Sequence, residues 1–272
     1  VKKDAARAVP FEGYGLPSRE ELVAASSLLA ARPDLAKRSA EEIAVGEYCH
    51  YSTQTYLFEM IGFQLLGEMS AKLRSFDFVH ELAGQAEDEA RHAALYRQVV
   101  RSLPIHASRA SIDLCAAPIY DAFVARGTIE EKVVTAYFVL ESVAMGIFAA
   151  RQRHYPTSPL LALDHRILEE EARHQGMGVR IAAELVRDGR LDLADVGEIV
   201  RSASTSVGRL LIPSALFEQF GVEETPDEPA RMVSSGILAT QRTTSWKAMM
   251  NAMRRLHRCL ATQDGDPHAH AA

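Results

Sequence analysis

Apolar positions along this chain recur at intervals of three and four, in long runs punctuated by Pro, Gly and Ser. Turn dipeptides flanked by alternating apolar residues, the mark of a strand hairpin, are absent from the sequence. The pattern therefore predicts helices. Ser18 followed by Glu21 reads as a capping box opening a short helix that stops near Pro33. Ser39 followed by Glu42 opens a long helix reaching about 70–74, and the next spans 76–103, ahead of Pro104. A shorter helix is expected over 110–126, kinked at Pro118, and another from about 129 to 154. Tyr155-Pro156-Thr157-Ser158 forms a turn before a helix over 159–188, with Gly189 as its stop. Residues 191–220 read as helical with a bend at Pro213, 221–229 as a loop and 230–262 as a last helix. Residues 1–17 look irregular, and 263–272, with His268 and His270, read as a mobile tail. No linker divides the chain. The expectation is one all-α domain over 1–262, with four long core helices at about 40–190 and extra helices at both ends, including 191–262.

Composition narrows the class. The 272 residues are 47% hydrophobic and 24% charged, which excludes a disordered or collagen-like chain. Lys and Arg number 30 against 36 Asp and Glu, a net charge of -6, so the basic excess of a nucleic-acid binder is missing. The start, Val1-Lys2-Lys3-Asp4-Ala5, lacks the apolar run of a signal peptide, and no stretch is expected to span a bilayer. Val1 in place of an initiator Met predicts a trimmed or partial start. Cys49, Cys115 and Cys259 lie too far apart for a metal knuckle and are expected to be buried, reduced thiols of a cytoplasmic protein.

Two segments match each other: Glu87-Asp88-Glu89-Ala90-Arg91-His92 and Glu169-Glu170-Glu171-Ala172-Arg173-His174. Each contains Glu-x-x-His, which puts a carboxylate and an imidazole on one helix face a turn apart, able to grip one metal ion. One copy alone is a common feature of a charged helix face. The upstream carboxylates give the pair its weight. Glu59 and Glu141 each sit in an otherwise apolar stretch, where a charge is costly without a partner. One constant offset relates Glu59 to Glu141, Glu89 to Glu171 and His92 to His174. Glu59 and Glu89 stand at nearly equal distances either side of Ser75, and Glu141 and Glu171 at equal distances either side of Pro156. Equal arms of two helical hairpins would bring four Glu and two His to one depth.

That set is the ligand set of a dinuclear carboxylate site: Glu59, Glu89, His92, Glu141, Glu171 and His174. Four carboxylates neutralise two divalent ions, and hard oxygens with two imidazoles suit Fe, with Mn as the alternative. Asp88 and Glu170 are expected to accept from the outer imidazole nitrogens of His174 and His92, and to pair with Arg173 and Arg91 respectively. Gly62, Ala144 and Gly146 could leave room for a substrate that Phe63, Phe138, Met145 and Ile167 would line.

At these residues the sequence resembles the ferritin-like diiron-carboxylate superfamily, over about 40–190. The resemblance implies a ferritin-like four-helix bundle, a non-haem diiron centre and O2 as co-substrate. Within the superfamily the chain is similar to the arylamine N-oxygenases, which carry two Glu-x(28–37)-Asp-Glu-x-x-His repeats. The intervening stretches here, 60–87 and 142–169, are equal in length and sit at the short end of that range, and Glu170 replaces Asp in the second repeat. Those enzymes carry a third His one turn before the second Glu-x-x-His; this chain has Ile167 there, with His165 on another face. Tyr96, four positions after His92, is placed like the radical tyrosine of ribonucleotide reductase small subunits, but the only Trp, Trp246, comes late.

The expected function is oxidation of a small organic substrate by a diiron oxygenase or oxidase, through N-oxygenation, C–H hydroxylation or aldehyde deformylation. No flavin or iron–sulfur motif is present, so electrons would come from a separate reductase or from peroxide. The alternatives are a ferroxidase or iron-storage protein, a manganese catalase-like enzyme, and a tRNA hydroxylase, which the acidity disfavours. The apolar face of 230–262 would dock on the bundle or on another subunit, as in a homodimer.

Overall fold

The computed structural model describes residues 15–73, 75–104, 120, 121, 123–125, 127–210 and 227–262, and among them every regular element is helical. The predicted helix over 110–126 lies mostly outside these residues. Pro118, Cys115, Pro213, His268 and His270 lie outside them too.

Two short helices come first, α1 (Arg19–Ala25) and α2 (Ser27–Ala31). The Ser18–Glu21 capping box opens α1 as expected. The single helix expected up to Pro33 is instead broken at Ser26. A carboxylate distant in sequence causes the break: the buried Glu47 accepts from Ser26 Oγ at 2.5 Å, Ser27 N–H at 3.0 Å and Leu28 N–H at 3.2 Å. It thereby takes up backbone donors that a helix start leaves unpaired.

Two long hairpins follow. Helix α3 (Ala36–Lys72) is interrupted at Ser39, whose extended backbone lets its hydroxyl accept from Glu42 N–H at 3.3 Å. Helix α4 (Phe76–Ser102) follows and packs along α3. The second hairpin joins α5 (Ile129–His154) to α6 (Leu161–Arg187) through a turn at 155–160. Gly189 stops the latter at φ +66. Helix α5 opens with a Thr128–Glu131 capping box. It carries a π-helical stretch over Thr135–Leu140, directly before Glu141.

Helices α7 (Leu193–Leu210), α8 (Glu228–Met232) and α9 (Gly236–Ala261) complete the described chain. The loop expected to end at Pro229 gives way earlier, because Pro229 sits in the first turn of α8, where its missing N–H costs nothing. Val233–Ser235 then separates α8 from α9, so 230–262 is not one helix. The apolar face of α9 docks on α5 and α6 of the same chain. A Cβ at Gly146 of α5 would stand 2.7 Å from the Gln241 carbonyl of α9, which shows how closely the two backbones approach.

Helix α5 corrects the expectation that no stretch could span a bilayer. It is long and apolar enough to cross one: an 18-residue window within it has a mean hydropathy of 1.8, although 72% of that window is buried inside the fold. Such burial is what a central helix of a helical fold requires.

Two apolar layers frame the middle of the hairpins. One contains Ile61, Leu65, Leu82, Phe138, Val143 and Met177. The other contains Tyr96, Phe148, Leu163 and Ile167. Between them, on all four long helices, lies a level occupied by charged residues. A third cluster packs α1 and α2 over the start of α3 and the start of α9.

Candidate metal centre

On α4, Gln85, Glu89, His92 and Tyr96 follow at spacings of four, three and four, which places them on one inward face. On α6, Ile167, Glu171, His174 and Gly178 repeat that spacing. Glu59 of α3 and Glu141 of α5 project from the opposite side. All six of Glu59, Glu89, His92, Glu141, Glu171 and His174 are buried.

Their ligating atoms form two overlapping groups. Glu59, Glu89, His92 and Glu171 make one, and Glu89, Glu141, Glu171 and His174 the other, with the atoms of each within 4.8 Å of one another. Glu89 and Glu171 belong to both. His92 Nδ1 lies 3.3 Å from Glu59, 3.3 Å from Glu171 and 3.9 Å from Glu89. His174 Nδ1 lies 3.1 Å from Glu171, 3.3 Å from Glu89 and 3.9 Å from Glu141. Both rings therefore turn the same nitrogen toward the carboxylates.

The other nitrogens point outward. His92 Nε2 donates to Glu170 at 2.7 Å and His174 Nε2 to Asp88 at 3.1 Å, the crossed pairing expected from the sequence. Of the arginines, Arg91 meets Glu170 as expected and takes Asp88 as well, while Arg173 stands off from Asp88. Arg91 reaches both Asp88 at 2.5 Å and Glu170 at 3.1 Å, whereas the exposed Arg173 stands 4.0 Å from Asp88 and 3.8 Å from Glu170.

The electrostatics are those of a charged cluster in a dry place. Burial opposes the His92 imidazolium, but bonds to Glu170, Glu171 and Glu59 outweigh it and push its pKa up to about 12. Burial likewise opposes the His174 imidazolium, yet Asp88, Glu171 and Glu89 carry it to about 11. Burial raises Glu59 and Glu141 well above the usual carboxylate range, with neighbouring carboxylates adding to it. Asp88, half-buried, and the buried Glu170 fall to about 2, because imidazole and guanidinium bonds overcome the cost of burial.

The donor set fits a pair of hard divalent cations. Four buried carboxylates meet, and Glu171 Oε1 is buried without a well-directed hydrogen bond. Each inward imidazole nitrogen can turn a lone pair on an ion once its outer N–H is fixed by a carboxylate.

Several contributors belong to no motif in the sequence. Gln85 Nε2 donates to Glu141 at 2.7 Å and to Glu89 at 3.3 Å, and Tyr137 O–H donates to Gln85 Oε1 at 2.8 Å. Tyr96, buried as a core residue, donates to Asp164 at 2.6 Å and accepts from Arg151 at 2.5 Å. The buried Arg151 also donates to Thr55 at 3.0 Å. Gln85 lies one turn before Glu89 on the face that carries the cluster, the one sequence signal that could have flagged it.

A cavity of about 40 Å³ adjoins the cluster between α3 and α5, lined by Phe58, Gly62, Leu140, Ala144, Ile147 and the cluster carboxylates. Gly62 and Ala144 thus stand where the sequence leads one to expect a substrate space. Gly146 does not, because it faces α9. Phe138 and Ile167 are packed into the two apolar layers, Phe63 is exposed, and Met145 is half-buried away from the cavity.

Comparison of the chain with protein-family models, with curated proteins and with solved structures finds no match in any of the three.

Proposed function

We propose that this chain is a ferritin-like diiron-carboxylate oxidoreductase, in which two helical hairpins form a four-helix bundle around a pair of iron ions. One observation carries the reading. Two imidazoles turn Nδ1 into a cluster of four buried carboxylates, while carboxylates outside the cluster hold their Nε2 atoms. Glu59, Glu89, Glu171 and His92 would hold one ion, and Glu89, Glu141, Glu171 and His174 the other. When bound, the ions supply the electrons and the binding site for O2 reduction.

The chain's own residues do the rest. Asp88 and Glu170 fix both imidazole tautomers, and Arg91 bridges the two carboxylates. The apolar layers on either side keep bulk water from the cluster. The cavity between α3 and α5 gives small molecules a way in. An organic substrate approaching there meets Phe58, Leu140 and Ile147 first, and electrons come from an external donor.

The size of the cavity favours one second reading. About 40 Å³ holds a few waters, at about 10–15 Å³ each, enough for O2 but not for an aromatic amine with these side chains at rest. A ferroxidase, whose substrate is Fe(II) itself, needs no more room.

Metal analysis of the purified protein, then anaerobic Fe(II) loading and exposure to O2 with optical monitoring, tests both readings. About two Fe per chain and a transient visible band support the oxygenase. Iron uptake far beyond two per chain supports the ferroxidase, and two bound Mn with O2 evolved from peroxide would point to a catalase. No uptake by the folded chain overturns the metal site.

A further inference from the structure

The two halves of the site repeat at one constant offset in their six ligand positions, but not in the residues that steady them. At that offset Gln85 corresponds to Ile167, Tyr137 to Thr55 and Gly178 to Tyr96. The carboxylates at 59 and 141 therefore have different surroundings.

Glu141 is held by a neutral donor. Gln85 is buried, its amide nitrogen lies 2.7 Å from Glu141 Oε1, and the same nitrogen reaches Glu89 at 3.3 Å. The Tyr137 hydroxyl, donating at 2.8 Å to the amide oxygen, fixes which end of the amide faces the carboxylates. Tyr137 is itself immobilised: it lies in the π-helical stretch of α5, and its ring fills the space over Gly178, where a Cβ would stand 1.8 Å from Cγ.

Glu59 has no such support among the described residues. Its near neighbour is His92 Nδ1 at 3.3 Å, the atom that would turn to a metal. The corresponding hydroxyl, Thr55 Oγ1, donates to the Tyr51 carbonyl and accepts from Arg151. Ile167 offers no donor and packs with Tyr96 and Phe148.

We infer that the two metal positions are inequivalent, and that Gln85, anchored by Tyr137, is the positioning residue that makes the Glu141–His174 position the tighter. Glu59 is then the carboxylate free to swing, and ligand exchange takes place on its side of the site. This inference rests on the metal reading of the cluster.

The test is a titration of the metal-free full chain with Co(II), followed by calorimetry and by the visible absorption of the bound ion. The wild type is expected to fill in two resolved steps. Glu141→Ala should remove the tighter step and Glu59→Ala the weaker one, which assigns them. Gln85→Leu should weaken the tighter step on the order of 10–100-fold, leave the weaker step in place and shift the absorption of the first ion. Tyr137→Phe, which leaves the amide but frees its orientation, should weaken the same step less; it carries the test if Gln85→Leu does not fold. Equal sites in the wild type, or an unchanged first step in Gln85→Leu or in a folded Tyr137→Phe, overturn the inference while leaving the metal site standing. Loss of both steps together in Gln85→Leu overturns it too. No Co(II) uptake by the wild type removes the metal reading and this inference with it.

Discussion

The side chains in the middle of this molecule are those a protein avoids burying unless something answers them. Glu59, Glu89, Glu141 and Glu171 lie within a few ångströms of one another and away from water, and only two imidazoles lie among them. Each terminal carboxylate is expected to be needed for one ion. Glu59→Ala or Glu141→Ala should end the uptake of two metals per chain, and unchanged stoichiometry in both variants would remove these residues from the ligand set. Asp88→Ala leaves the His174 ring untethered, and metal affinity should fall on the order of 10–100-fold without being lost. Proton release gives a further check. With pKa values near 12 and 11, His92 and His174 are imidazolium at neutral pH in the metal-free site, and each must give up its inner proton to bind. At least two protons should therefore leave on loading, and the affinity for the pair should rise with pH from neutrality toward pH 11. Calorimetry in buffers of different ionisation enthalpy measures that number directly; a value of zero would contradict the protonation described here. The six positions of the buried cluster are legible in the sequence because they share one offset and Glu59 and Glu141 interrupt apolar stretches. Gln85, Arg151 and Asp164 are not, since a lone polar residue reveals its role only when a facing helix supplies the partner.

At the scale of elements, what matters most is which way each helix face turns. Gly62 and Ala144 follow Glu59 and Glu141 by three positions and share their face, whereas Gly146 follows Glu141 by five, about 140° round the axis, and faces α9; its level alone does not assign it to the cavity. The π-helical stretch limits the reading upstream of Glu141 instead. It adds one residue to the turn before Glu141, about 100° of rotation, which no 3.6-residue pattern forecasts. The break at Ser26 is illegible for a related reason, because the carboxylate that causes it lies in another helix. Close approach of elements can be tested at Gly178. An Ala there drives a methyl into the Tyr137 ring. We expect Gly178→Ala to cost roughly 1–3 kcal/mol. Chemical denaturation against wild type measures it; an unchanged midpoint would mean that α5 and α6 separate more freely than their packing implies.

For the whole molecule, the cluster acts as a conditional keystone. Without metal it is held by imidazolium–carboxylate pairs. The sign of their contribution follows from the pKa values: the share from His92 and His174 is complete below about pH 6.5 and lost as pH rises through 11–12. The share from Asp88 and Glu170 is present above about pH 4.5 and lost as pH falls toward 2. With metal at a hundred times its dissociation constant, about 2.7 kcal/mol is added per independent site. Loading should raise the thermal midpoint by several degrees and chelation should reverse it, as differential scanning calorimetry would report. A midpoint indifferent to metal would mean that ions do not bind the folded state in preference to the unfolded one.

The burial of α5 has a consequence for how the chain is made. Its cover comes from α6, from α7 and from α9, all of which leave the ribosome after it. Until the whole stretch from α6 to α9 has been synthesised, the most membrane-like segment of the protein has only the first hairpin to lean on. The nascent chain is thus most exposed to misdirection and clumping just before Glu171 and His174, the last residues of the buried cluster, are made.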